Sequence, residues 1–443
     1  MRVLVVGAGE VGSSIAASLA GAHDVVVVDV DAGRVESLTY SVDVLAIEGD
    51  GTSLPTLERA GVGEADMVIA STDDDETNLV VCATAKTASD AFTIARVRNT
   101  NFLRTWQRAE GAFGVDFMVC TNLLTAEAIV RIAGLPAARD VDPFAEGRVQ
   151  MAEFEVGPES PIANQTVEQA DRWDALTFVA VIDESDVTIA RGETVIEAGS
   201  KVVVVGTPGS VREFAGALAP DAKRARDVVV VGGGAIGFET TRLLGEGGIE
   251  PRVVDEDEAR ARELAEALPK AVVMCHDPTD AEFLLREHVA DADLAVVSLE
   301  SDERTLLVAL LARQTGASRT VAVVENGEYV RLFEAVGVDV AVNPREVVAE
   351  EITRFTHQQR AENVAVIESD RAEVVEIAVD EESVLAGRPI RESAADVPAR
   401  MVIGAVTRDG EVITPRGETV IEPGDHIVVF ADSKVVDQVL ATL

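Results

Sequence analysis

Two stretches of this chain recur at one fixed spacing, and that repeat limits the fold more than any other feature. Gly7-Ala8-Gly9-Glu10-Val11-Gly12 returns as Gly232-Gly233-Gly234-Ala235-Ile236-Gly237, and Arg191-Gly192-Glu193-Thr194-Val195-Ile196-Glu197 returns letter for letter at 416–422. Both shifts are 225 residues, from 7 to 232 and from 191 to 416. Weaker echoes keep the same order: 65–71 with 292–298, and 114–116 with 337–339. An array of this kind folds as repeated units, so the chain reads as two halves with two parts each. The expected domains are 1–135, 140–220, 227–350 and 360–443, with the seam between halves in the polar stretch 220–226.

The first part of each half alternates short apolar runs with helical spacing. Val3–Val6, Val25–Val28, Val44–Ile47, Met67–Ser71 and Phe92–Val97 read as buried strands, and Val11–Leu19 and Asn78–Lys86 as helices. Continuous apolar strands separated by helices mean a parallel sheet covered on both faces. The second part reads as short strands at Met151–Val156, Thr177–Ile182, Thr188–Ala190 and Lys201–Val205, closed by a helix over Val211–Leu218. The expected class is α/β: two Rossmann-like doubly wound domains, each followed by a small α+β module.

A glycine triplet between a strand and a helix has a physical use. Gly7 permits the tight turn, Gly9 lets phosphates approach the backbone, and Gly12 permits close helix–strand packing, while the helix N-terminus offers free N–H groups. Asp29 ends the next strand, where a carboxylate accepts ribose hydroxyls and repels a 2′-phosphate. This favours NAD or an adenosine nucleotide over NADP. The first-half candidates are Gly7, Ala8, Gly9, Glu10, Val11, Gly12, Asp29, Asp50, Thr72, Asp73, Arg96 and Arg98; the second-half candidates are Gly232, Gly234, Gly237, Asp255, Asp277, Leu299 and Glu300. Each has a bland reading: a glycine turn that only packs, an acidic run 73–76 that is a solvated loop, arginines in surface ion pairs. In the second half, Val323 and Glu325 stand where the first has Arg96 and Arg98. That loss of cations predicts a tighter first site.

Charge narrows the partners. With 38 basic and 78 acidic residues the net charge is −40, which disfavours nucleic acid and direct contact with an anionic membrane. Such a surface suits a salt-rich, halophile-like cytoplasm, and we expect the melting temperature to rise from dilute buffer to molar KCl. A melting temperature that stays flat or falls overturns that expectation. The start of the chain reads as having no signal peptide, no apolar run reaches membrane-spanning length, and Cys82, Cys120 and Cys275 have neither metal nor redox spacing. The expected setting is a reducing cytoplasm.

Glycine motif, Asp29, the Asp73–Asn78 segment, Ala95-Arg96-Val97-Arg98 and the twice-used Arg-Gly-Glu-Thr modules together resemble the TrkA potassium-uptake regulators, which carry tandem RCK domains. Gly387-Arg388-Pro389-Ile390 is similar to that family's C-module; the first module has Ser160-Pro161-Ile162-Ala163 instead. The resemblance implies a cytoplasmic homo-oligomeric ring, a homotetramer, under a TrkH-type membrane potassium channel, with the C-modules pairing across protomers. It also implies NAD(H), ATP or ADP in the Rossmann sites. Relatives that select ATP can carry arginine at the fourth place of the glycine motif. Here Glu10 and Ala235 stand there, which leans toward NAD(H).

An NAD-dependent oxidoreductase is the alternative. Hydride transfer generally recruits a positioned acid or base. His23, His276, His288, His357 and His426 fall in no catalytic pattern, and no catalytic or metal residues are expected.

Overall fold

A computed structural model of the chain describes residues 1–21, 23–109, 111–183, 186–220, 225–287, 289–357, 363–367, 372–393, 396–398, 400–433 and 435–443. Most of the seam predicted at 220–226, and His288, lie outside them. The described residues form two compact units: Met1–Glu127 with Val229–Thr353, and Ala128–Val228 with Arg354–Leu443. The first holds both Rossmann-like domains and the second holds both small modules.

In the first unit, β1 (Arg2–Val6), β2 (Asp24–Asp29), β3 (Leu45–Glu48), β4 (Met67–Ala70), β5 (Phe92–Val97) and β6 (Phe117–Cys120) make one sheet in the order 3-2-1-4-5-6. Every pairing is parallel. This is the dinucleotide-fold order, with the strand sequence reversing between β1 and β4. Both faces are covered, so the strands are apolar throughout: Leu4, Val28, Val68, Ala95 and Val97 meet in one core. Six strands from Val228–Val231 to Val340–Val342 repeat the order and the parallel sense. The last strand of each sheet is absent from the sequence reading. Phe117–Cys120 and Val340–Val342 are short and run almost at once into helices, α6 (Thr121–Gly134) and Pro344–His357.

Each small module in the second unit is a five-stranded antiparallel sheet with a closing helix, Pro208–Leu218 in one and Val436–Thr442 in the other. The repeated heptapeptide turns out to be architectural. Thr194 N–H donates to Arg191 O and Thr194 Oγ1 accepts Arg191 N–H, Thr419 does the same at Arg416, and Ile196 and Ile421 are buried. Within the chain the two modules share a core, in which Phe144, Val179, Val203 and Val205 meet Val374, Ala405 and Phe430. Gly404 permits the approach, since a Cβ there would lie 2.9 Å from Val205 Cβ.

Candidate nucleotide-binding sites

β1 ends in a turn that only glycine fits. Gly7 has φ +106°, and a Cβ at Gly12 would lie 1.8 Å from Gly7 O. Gly9 is different: a Cβ there would meet only Arg34 Nη1, at 3.6 Å. The open side of Gly9 is where a phosphate can come close. It caps α1 (Glu10–Ala20) without a side-chain hydrogen bond, leaving the first-turn N–H groups without side-chain acceptors. This is a cradle that a larger residue would fill, and the residues present fit a nucleotide phosphate.

A cavity of about 1010 Å³ opens over this turn. Gly7, Ala8, Gly9, Glu10, Val11, Asp29, Asp50, Thr72, Asp73 and Arg96 all line it. Gly12 does not; it packs behind the turn. Arg98 lines an adjoining cavity of about 600 Å³ instead, although its Nη2 and Arg96 Nη1 both reach Asp73 Oδ1, at 2.8 and 3.4 Å. Arg96 is buried. Burial first, and Arg98 second, push its guanidinium below the ordinary arginine range, against the pull of Asp73.

Asp29 has a second task. Its Oδ2 accepts Ala8 N–H at 2.5 Å and its Oδ1 accepts Asp31 N–H at 2.8 Å, so the carboxylate ties the glycine turn to the end of β2. A carboxylate has about four acceptor positions, so ribose hydroxyls can still be taken. Asp29→Ala is expected to weaken ADP by roughly 1–3 kcal/mol and to erase any preference for ADP over its 2′,3′-dideoxy analogue. If the variant keeps that preference in titration calorimetry, Asp29 is not the ribose acceptor.

The acidic run resolves into separate jobs. Asp73 faces the two arginines. Asp74 caps α4 (Asp75–Ala88) by accepting Thr77 N–H at 2.7 Å, and those Thr77 hydrogen bonds hold its pKa below the usual carboxylate value. Asp75 accepts Arg98 N–H and Asn99 N–H at 2.9 Å each, pinning the loop after β5. Asp50 binds Thr52 N–H and Oγ1–H at the rim, and these two bonds lower its pKa. The helix begins three residues before the predicted Asn78–Lys86 span and ends two after it, because Asp74 caps its start.

The second half repeats the cradle. Gly232 has φ +97°, a Cβ at Gly237 would lie 1.9 Å from Gly232 O, and nothing lies within 4 Å of one at Gly234. Asp255 Oδ2 accepts Gly233 N–H at 2.8 Å. Gly232, Gly234, Asp255, Leu299 and Glu300 line a cavity of about 800 Å³. Gly237 packs behind the turn, and Asp277 lies outside the lining, 3.8 Å from Arg304. The cations lost at Val323 and Glu325 are not the whole account, because Arg260 and Arg304 line this cavity. Arg304 spends its fork on Glu256, at 2.8 and 2.9 Å, and Arg260 Nε donates to Gly233 O at 2.7 Å. These arginines come from helices after the glycine motif, Glu258–Ala267 and Asp302–Thr315, so comparing one strand with its repeat does not find them.

Among the described residues no group of three or more His, Cys, Asp or Glu is placed to hold a metal ion, and no helix is long and apolar enough to cross a membrane.

Two Rossmann sheets with nucleotide-type cradles, each followed in sequence by a small antiparallel module, make a tandem fold of the RCK type. The TrkA-N domain model matches residues 3–120 and 228–344, and the TrkA-C domain model matches 151–219 and 374–443. The chain is 34% identical over 450 residues to Trk system potassium uptake protein TrkA homolog 1 of Methanosarcina mazei, covering 99% of both chains. It is 35% identical to the TrkA homolog of Archaeoglobus fulgidus, covering 97% of each. The solved GsuK RCK domain has the same fold, with a TM-score of 0.61 at 20% identity over 100% of this chain and 95% of that one. The chain belongs to the TrkA family of Trk-system potassium uptake proteins. These relatives are named as uptake proteins, not as enzymes.

Proposed function

We propose that this chain is the nucleotide-sensing gating subunit of a potassium uptake system, with NAD(H) as the favoured ligand and ATP or ADP as competing occupants. Its partner is a TrkH-type membrane channel, and it works as a homotetrameric ring at the cytoplasmic face of the membrane. One observation carries the reading: glycine turn, Asp29, Thr72, Asp73 and Arg96 converge on a single cavity at the carboxyl ends of parallel strands. That is where doubly wound sheets take nucleotides. Solved GsuK channels of the same fold are described as bound to NAD and to ADP, which supports the ligand class. A ligand that binds one ring shape more tightly shifts the population toward it, so gating needs differential affinity and no turnover.

Calorimetry with NAD, NADH, ATP and ADP, followed by potassium flux through the channel reconstituted with and without the protein, tests the proposal. Micromolar binding with nucleotide-dependent flux supports it. Flux that ignores both protein and nucleotide overturns it, and sustained NADH oxidation with a carbonyl panel favours the oxidoreductase.

A further inference from the structure

The first cavity has a wall that its own domain does not supply. Arg345, from the second Rossmann domain, lines it, and its Nη1 pairs with Glu10 Oε2 at 2.5 Å. Glu10 is the first residue of α1, in the turn whose N–H groups form the cradle. A carboxylate there repels a phosphate, and an arginine there answers it. Arg345 is the second residue of Pro344–His357, the helix after the last strand of its sheet. The matching second residue of α6 is Asn122, and Asn122 lines the second cavity. Each Rossmann domain thus lends the same position to the other's cavity, as in an isologous contact. The chemistry of the loan differs, since one side chain is a cation and the other a neutral amide.

Resting on the nucleotide reading above, we infer that Arg345 is a phosphate ligand of the first site, donated by the second Rossmann domain, so that occupancy of one domain's cradle pulls directly on the other. Arginine suits the role because its planar fork binds two oxygens of a phosphate at once. Burial works against its charge, but Glu10, Glu325 and Asp73 outweigh burial and hold its pKa above the ordinary arginine value. Glu10 keeps the guanidinium at the mouth of the cradle, where a phosphate competes for it. Glu325 lies 3.9 Å from Arg345 and lines the second cavity, so the same arginine touches the border of both sites. Moving it toward a phosphate changes the charge next to the second cradle, which is a physical route for one site to sense the other.

The test uses the full chain carrying Gly234→Trp, which silences the second cradle, with ADP and adenosine as probes. Arg345→Gln is expected to weaken ADP about 10- to 100-fold, as for loss of a charged hydrogen bond, and to leave adenosine, which has no phosphate, within about twofold. Arg345→Lys restores part of the ADP affinity, since it keeps the charge and loses the fork. An unchanged ADP affinity in Arg345→Gln overturns the inference. So does an equal loss for ADP and adenosine, which would make Arg345 a brace for the domain seam. If Gly9→Trp binds ADP as well as its parent does, the nucleotide reading itself fails, and this inference falls with it.

Discussion

Gly12→Ala is expected to lower the stability of the first Rossmann domain by about 3 kcal/mol or more and to remove nucleotide binding there, whereas Gly9→Ala keeps the melting temperature and loses affinity alone. The two glycines sit three residues apart in one motif, yet their surroundings differ. A Cβ at Gly12 would lie 1.8 Å from Gly7 O, 2.8 Å from Ser71 Oγ and 2.9 Å from Gly7 C. Two of those atoms are backbone in a turn already at φ +106°, so nothing cheap can yield, and overpacking costs sit at or above the usual 1–3 kcal/mol. At Gly9 the nearest atom is the end of a flexible arginine at ordinary contact distance. Folding therefore tolerates alanine at Gly9, within about 0.5 kcal/mol, but the methyl group occupies the side from which a phosphate approaches. Thermal melts and ADP titrations of both variants decide the matter. A Gly12→Ala protein that melts with wild type, or a Gly9→Ala protein that binds ADP as wild type does, contradicts this division of labour. Gly237 and Gly234 repeat the contrast in the second half.

Those glycines were legible in the sequence because the steric need they meet is written in the residue itself. The same holds for Asp29, whose place at the end of an apolar run survives in the structure. Other features hide for physical reasons. The strand Ala138–Phe144 has no counterpart in the sequence reading: it contains Arg139, Asp140, Asp142 and Pro143, and it lies at the edge of its sheet, where proline and charge are tolerated. The acids of the Asp73–Glu76 run could be counted but not sorted, since capping, pinning and ion pairing use one side-chain type. Arg345 was invisible for a different reason. Comparing the halves position by position finds what each domain has, and the first cavity is completed by what the other domain lends. The signal was present as Thr121-Asn122 against Pro344-Arg345.

Asn78 holds the largest side-chain lever on the geometry of the first site. It is fully buried, and its amide makes four hydrogen bonds. Its Oδ1 accepts Thr72 N–H at 2.9 Å and Thr72 Oγ1–H at 2.7 Å; its Nδ2 donates to Thr72 O and to Arg96 O, both at 2.9 Å. One side chain thus sets the distance between the loop after β4 and the strand that carries Arg96, and both border the cavity. Asn78→Leu keeps the approximate volume and strands the Thr72 N–H and two carbonyls. Each buried group left unpaired costs about 1–3 kcal/mol, and because neighbours are not additive we expect about 3–4 kcal/mol in all, with ADP binding weakened at least tenfold as Thr72 and Arg96 drift apart. Asn78→Asp falls between, because it retains the acceptor half of the latch and loses the donor half. The second domain is the internal control. Thr305 stands in the matching helix, and Leu299 N–H reaches its Oγ1 at 3.3 Å, a single long bond in place of four. Thr305→Val is therefore expected to cost about 1 kcal/mol and to change little else. Denaturant midpoints and ADP titrations on the two variants measure the difference. Equal losses would show that the loops are held by the backbone of the sheet, and that Asn78 positions nothing.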